Sequence, residues 1–208
     1  MITKRDQDII NFLDDFHIAT SEQIHKLFFP GIAVRSRNAR LKYLLDTGFI
    51  KMTRSTIDNS YAYYVGKKPY QIHHDLIRTE LYTHLKGKYN VLEWHNEYTI
   101  GNIRSDAYCY IRHNGIPYPV FVEIHLHNKF NFDKYKILCD TMDLKAVFSI
   151  VPRVIICTDR SITIPNMPIK FKVVDIEMKD LDSIFELALL HANTSTRGRA
   201  NAQQKTYG

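Results

Sequence analysis

Arg35-Ser-Arg-Asn-Ala-Arg-Leu-Lys-Tyr-Leu-Leu-Asp-Thr-Gly-Phe-Ile-Lys51 reads as a basic helix that stops at Gly48 and runs straight into a strand. A second strand, Tyr61–Val65, follows the polar turn Thr56–Ser60. A helix followed by a two-stranded hairpin is the ending of a winged helix-turn-helix. The helix carries Arg35, Arg37, Arg40 and Lys42, and the hairpin adds Lys51 and Arg54. Cations arranged on a helix and an adjoining hairpin suit a DNA groove and its flanking phosphates.

Helical spacing turns Val34, Leu41, Leu44 and Leu45 inward and leaves Arg35, Ser36, Asn38, Ala39 and Lys42 more exposed, with Arg37 and Arg40 near the boundary. The expected DNA-binding set is therefore Arg35, Ser36, Arg37, Asn38, Arg40, Lys42, Lys51 and Arg54. Upstream, Thr3 is placed to cap a first helix with Ile9, Leu13 and Phe16 on one face. Thr20-Ser-Glu-Gln23 has the capping-box pattern and opens a second helix that stops at Pro30-Gly31. Three helices and a wing then fill residues 1–68.

Charge supports the same reading. The chain has 208 residues and a formal net charge of +6. Between Ala33 and Lys68 the bases are Arg35, Arg37, Arg40, Lys42, Lys51, Arg54, Lys67 and Lys68, against Asp46 and Asp58, so this segment alone matches the excess of the whole chain. That concentration points to a polyanion, double-stranded DNA above all, with no cofactor required for binding. A homodimer on a pseudo-palindromic site is a natural companion expectation. The cysteines, Cys109, Cys139 and Cys157, are odd in number and form no Cys-x-x-Cys pair, as expected of thiols in a reducing cytoplasm. No apolar run is long enough to span a membrane, and the N-terminus has no signal-peptide pattern, so a cytoplasmic location without membrane partners is expected.

Lys67-Lys-Pro69 marks the expected boundary of a second, independently folding domain over residues 69–192. It begins with a helix over about Tyr70–Lys86. Strands follow over Val91–Ile100, Arg104–Arg112 and Pro119–Leu126, the last two joined by the hairpin signal Asn114-Gly115. A helix over about Phe132–Lys145, strands Val154–Cys157 and Phe171–Val174, and a closing helix Leu181–Leu190 complete it. The polar tail 193–208 is expected to be disordered. This order is the core of a restriction-endonuclease-like, mixed-sheet α/β domain, making the whole an α+β / α/β two-domain chain.

Within that order Asp106 falls near the start of one strand, and Glu123 and His125 lie on one face of the next. Two carboxylates on adjacent strands can hold a divalent cation, which can generate hydroxide and stabilise a phosphodiester transition state. At these residues the chain resembles the PD-(D/E)XK nuclease superfamily, with Ser105-Asp106 for the Pro-Asp and Glu123-Ile-His125 for the Glu-x-Lys. His125 stands where that pattern has Lys. A histidine is shorter and mostly neutral near pH 7, so weak or absent cleavage is expected.

The arrangement is similar, more specifically, to the replication-relaxation family of plasmids, phages and integrative elements, which joins a winged helix to a degenerate nuclease-like domain. The matching segments are Asp106-Ala107, Phe121-Val-Glu123 and Lys134-Tyr135. The resemblance implies DNA binding in replication, mobilisation or transcriptional control. The alternative is a deoxyribonuclease dependent on Mg²⁺ or Mn²⁺, with Asp106 and Glu123 as metal ligands and His125 and Lys134 as further catalytic residues. An antitoxin-type regulator is a third reading. His73 and His74, at the start of the long helix, are expected to be surface or cap residues.

Overall fold

Thr3 and Asp6 close a reciprocal capping box that starts helix α1 (Lys4–Phe16) in the computed structural model, which describes residues 1–127, 129–179 and 181. Ile9, Leu13 and Phe16 lie buried along one face of α1. The short strand β1 (Ala19–Thr20) leads into α2 (Ser21–Phe28), where Thr20 and Gln23 form a second capping box. Helix α3 (Val34–Asp46) ends in a Schellman motif. Gly48 takes φ +77°, its N–H donates to Leu45 O, and the Phe49 N–H donates to Leu44 O. Gly48 is needed there because a Cβ disfavours that backbone region.

Strands β2 (Lys51–Arg54) and β3 (Tyr61–Tyr64) pair antiparallel, and β1 adds to the other edge of β3. Two-residue β1 is too short to leave a period in the sequence, so only the hairpin was legible there. Ile9, Leu13, Ile24, Phe29, Leu41, Leu44 and Ile50 form the core under these helices. Val34, expected to face inward, is half exposed because it opens α3 before the helix meets its neighbours.

Helix α4 (Ile72–Lys88) precedes a five-stranded mixed sheet of order β10-β9-β8-β7-β4. Its strands are β4 (Asn90–Asn96), β7 (Ala107–His113), β8 (Ile116–Ile124), β9 (Arg153–Cys157) and β10 (Lys170–Val174). Strand β7 runs antiparallel to both β4 and β8, while β8, β9 and β10 run parallel to one another. Asn114 and Gly115, both at positive φ, make the two-residue turn between β7 and β8.

Alternation divides this sheet into two faces. Ala107, Cys109, Ile111, Val120, Val122 and Ile155 pack under Ile77, Leu81 and Leu85 of α4. Tyr108, Phe121, Val154 and Ile156 pack under α5 (Asp133–Thr141) and α6 (Leu144–Phe148). The result is a mixed α+β structure with helices on both faces of the larger sheet.

Two expected elements are interrupted. The Val91–Ile100 strand breaks after Asn96, where Glu97 adopts φ +52°; the small ribbon β5 (Thr99–Ile100) and β6 (Ile103–Arg104) follows. The Phe132–Lys145 helix breaks at Met142, whose backbone is extended, and Asp143 caps α6 anew. The expected closing helix Leu181–Leu190, apart from Leu181, and the expected tail lie outside the described residues. Among the described residues, no helix is long and apolar enough to cross a membrane.

Helix α4 is buried on two sides. Leu76 joins Ile18 and Ala62 in a cluster beneath the first sheet, while Ile77, Leu81 and Leu85 face the second. Thr79 Oγ1 donates to Ile18 O at 2.9 Å, and Gln23 Nε2 donates to Leu76 O at 3.1 Å. The first core therefore extends past Pro69.

Candidate functional site

On α3 the side chains sort sharply by direction. Arg35, Ser36, Asn38 and Lys42 are exposed. Arg37 is not: its side chain is 8 % exposed, and its guanidinium donates to Ser21 O, Glu22 Oε2 and Asn38 Oδ1. Arg40 forms a two-pronged ion pair with the fully buried Asp6 and lies 4.5 Å from the centre of the Tyr43 ring. Arg40 holds the Asp6 carboxyl far below the usual carboxylate range, chiefly by that hydrogen bond. Both arginines, expected among the DNA contacts, are engaged within the fold and tie α3 to α1 and α2. Burial, not sequence spacing, decided it.

Lys42 pairs with Asp46 at 2.9 Å on the surface, an i,i+4 contact worth about 0.3–0.5 kcal/mol that a phosphate can displace. On the hairpin, Lys51 Nζ donates to Gly66 O at 2.7 Å, and Arg54 stacks over Tyr61 at 4.0 Å. Lys67 and Lys68 extend this exposed basic strip.

The second cluster lies at the C-terminal end of β8. Glu123 is nearly buried at 9 % side-chain exposure. Its Oε1 accepts from the Tyr135 hydroxyl at 2.5 Å and lies 2.6 Å from Lys134 Nζ, both supplied by the first turn of α5. Burial raises the Glu123 carboxyl above the usual range, and Lys134 and Tyr135 offset only part of that. Asp106 precedes β7. Its Oδ2 accepts from the Ile124 N–H at 2.7 Å, and its Oδ1 lies 3.2 Å from His74 Nε2. His125 sits one residue past β8, donates its N–H to Cys157 O, and turns its ring edge-on to Phe130 at 5.3 Å. The cation against Glu123 is Lys134, from the neighbouring helix.

His74 is not a surface cap. It bridges Asp106 and Asp75, with Nδ1 3.5 Å from Asp75 Oδ1 but too poorly aligned for a hydrogen bond. Asp75 in turn pairs with Arg78 at 3.1 Å and with His17 at 3.4 Å. Arg78 is only 1 % exposed. A continuous ionic chain thus runs from the end of α1 through α4 to the sheet. Asp75 and Arg78 share a helix face at i,i+3, a spacing visible in sequence. The His74 partner on a distant strand left no such signal.

These contacts test the expected metal site. Asp106 and Glu123 already accept from Ile124, Tyr135, His74 and Lys134, whereas Mg²⁺ demands near-octahedral oxygen ligation. A divalent cation would also sit beside two protein cations. Among the described residues, no group of three or more His, Cys, Asp or Glu side chains is arranged to hold a metal. With these donors in place, the oxygens of Asp106 and Glu123 are poorly matched to a hard divalent cation.

The ionic chain has a testable pH signature. Burial alone would lower the His74 pKa, but Asp106 and Asp75 outweigh it and push it up to about 9. A histidine with a raised folded-state pKa stabilises fully below its ordinary value of 6.5, and that stability is lost as pH rises through about 9. Unfolding free energy should fall by roughly 3 kcal/mol at most across this window. Urea titrations should find most of that slope gone in His74→Ala; an unchanged slope would remove His74 as its source.

Comparison with protein-family models, with curated proteins and with solved structures finds no match to this chain.

Proposed function

We propose that this chain binds double-stranded DNA through a winged helix-turn-helix formed by α1–α3 and the β2–β3 hairpin. In this reading α3 enters the major groove, and the hairpin grips the flanking backbone. The observation that carries it is the exposed face of α3: Arg35, Asn38 and Lys42 recur at helical spacing, beside exposed Lys51, Arg54, Lys67 and Lys68. Arginine and asparagine side chains suit base edges, while the hairpin lysines suit phosphates. The larger sheet would be a nuclease-like domain of the replication-relaxation type, acting through DNA contact or dimerisation. The process would be replication, mobilisation or transcriptional control of a plasmid, phage or integrative element. The protein cations beside Asp106 and Glu123 favour this binding role over the endonuclease alternative.

The test uses the full chain and duplex fragments selected from host or mobile-element DNA. The Arg35→Ala/Lys42→Ala pair should weaken binding about tenfold or more, with a shallower salt dependence. Arg37→Ala should instead lower stability, since it leaves Ser21 O and Glu22 without their donor. Unchanged duplex affinity in the double variant, measured by fluorescence anisotropy over a salt series, would overturn the assignment of α3.

A further inference from the structure

Strands β8 and β9 run parallel and end at Ile124 and Cys157. Beyond those ends the chain diverges, one segment toward α5 and the other into the long β9–β10 connection. A cleft of about 1240 Å³ opens between them. Its lining combines His125, Lys129 and Arg160 with the hydroxyls of Ser161 and Thr163 and the apolar ring of Phe132. Lys129, Arg160, Ser161 and Thr163 are exposed, and Phe132 is half-buried. Arg160 Nε lies a loose 3.9 Å from Asp159 Oδ1. Among the described residues, Asp133 is the one acid on the lining, against the cations Lys129 and Arg160.

Crevices outside the carboxyl ends of parallel strands are where open α/β sheets bind ligands. The lining here narrows the chemistry. Two exposed cations and two hydroxyls call for an anion with several acceptor oxygens, which fits a phosphate. The aromatic and aliphatic floor calls for a flat, largely apolar body joined to that phosphate. A nucleotide has both parts.

We propose that this cleft binds a phosphorylated nucleotide, either free or as a unit of a single-stranded nucleic acid, with Lys129 and Arg160 on the phosphate and Phe132 against the base. The cleft belongs to the larger sheet and does not depend on the role of α3. Its occupant would lie beside Lys134 and the Glu123 cluster.

Two probes separate the sources of that chemistry: dTMP by isothermal titration calorimetry, and fluorescein-labelled dT12 by anisotropy. Both use the full chain at low salt. Wild type should bind one or both, and Lys129→Ala/Arg160→Ala should weaken that binding about tenfold or more. Both substitutions are on exposed side chains, and a matching thermal midpoint verifies folding. Arg35→Ala/Lys42→Ala serves as the control and should leave dTMP affinity unchanged. Binding of dTMP alone identifies a free-nucleotide site; binding of dT12 alone identifies a strand-binding site. No binding of either probe by wild type, or binding that the Lys129/Arg160 pair does not alter, would overturn the proposal. Neither result bears on duplex recognition by α3.

Discussion

A chain cut after Lys68 is expected to lose its cooperative unfolding transition. The first core is completed by α4, which such a fragment lacks. Ile18, Ala62 and Leu76 are each fully buried against one another. Phe12 and Phe16 also rest on Tyr82, with ring centres 5.9 and 4.6 Å away. Removing α4 exposes these apolar groups and strips the Ile18 carbonyl and the Gln23 amide of their α4 hydrogen bonds. Burying one large apolar side chain is worth about 1.5–3 kcal/mol. Several such losses rival the roughly 3–10 kcal/mol that a unit of this size has in total. Within the full chain, Leu76→Ala should cost about 2–5 kcal/mol through the same contacts. Urea titration of the fragment by circular dichroism is the direct measurement. A sharp transition there would mean that α1–α3 and the hairpin suffice as a core.

Lys134→Met should destabilise the protein strongly, and only above acidic pH. Glu123 is buried, and Lys134 is the cation beside it. Breaking a buried ion pair from one side costs about 3–5 kcal/mol, because the remaining charge is left uncompensated. Glu123 can escape that cost by taking up a proton. Its folded-state pKa is already raised above the ordinary 4.5 by burial, and loss of Lys134 raises it further. A carboxyl with a raised folded-state pKa costs nothing below its unfolded value; the penalty grows as pH climbs toward the folded value. The variant should therefore approach wild-type stability near about pH 4 and fall short by about 3–5 kcal/mol near about pH 8. Glu123→Gln combined with Lys134→Met should recover most of the loss, since the amide carries no charge and can still accept from Tyr135. Equal destabilisation at both pH values would show that Lys134 matters for packing and not for the Glu123 charge.

The legible parts of this molecule are those whose causes lie within a few residues. Thr3 with Asp6 and Thr20 with Gln23 are three apart, and each pair sets a helix start. Gly48 ends α3 by its own backbone freedom, and Asn114-Gly115 dictates a two-residue turn. The alternation through Ala107–His113 and Ile116–Ile124 marks strands with two different buried faces. Asp106 and Glu123 could be paired because a hairpin brings their strands together, whereas Lys134 was named only through the family resemblance.

Other features rest on partners that chain order does not reveal. Helical spacing sets Arg35 on the exposed face and Arg37 only near its boundary, and it is packing that turns Arg37 inward to hold α2. Arg40 finds Asp6 from 34 residues away. His74 looks like any polar residue in a first helical turn until β7 brings Asp106 against it. The sequence by itself determined the two capped helix starts, the stop of α3 at Gly48 and the turn between β7 and β8, and that basic residues gather between Ala33 and Lys68. Only the tertiary structure decided which of those cations stay exposed, which histidine is bridged by two carboxylates, and that α4 serves both cores. The physical reason is that capping and turn formation are settled by neighbours in the chain. Burial and ion pairing are settled by whatever the fold packs alongside.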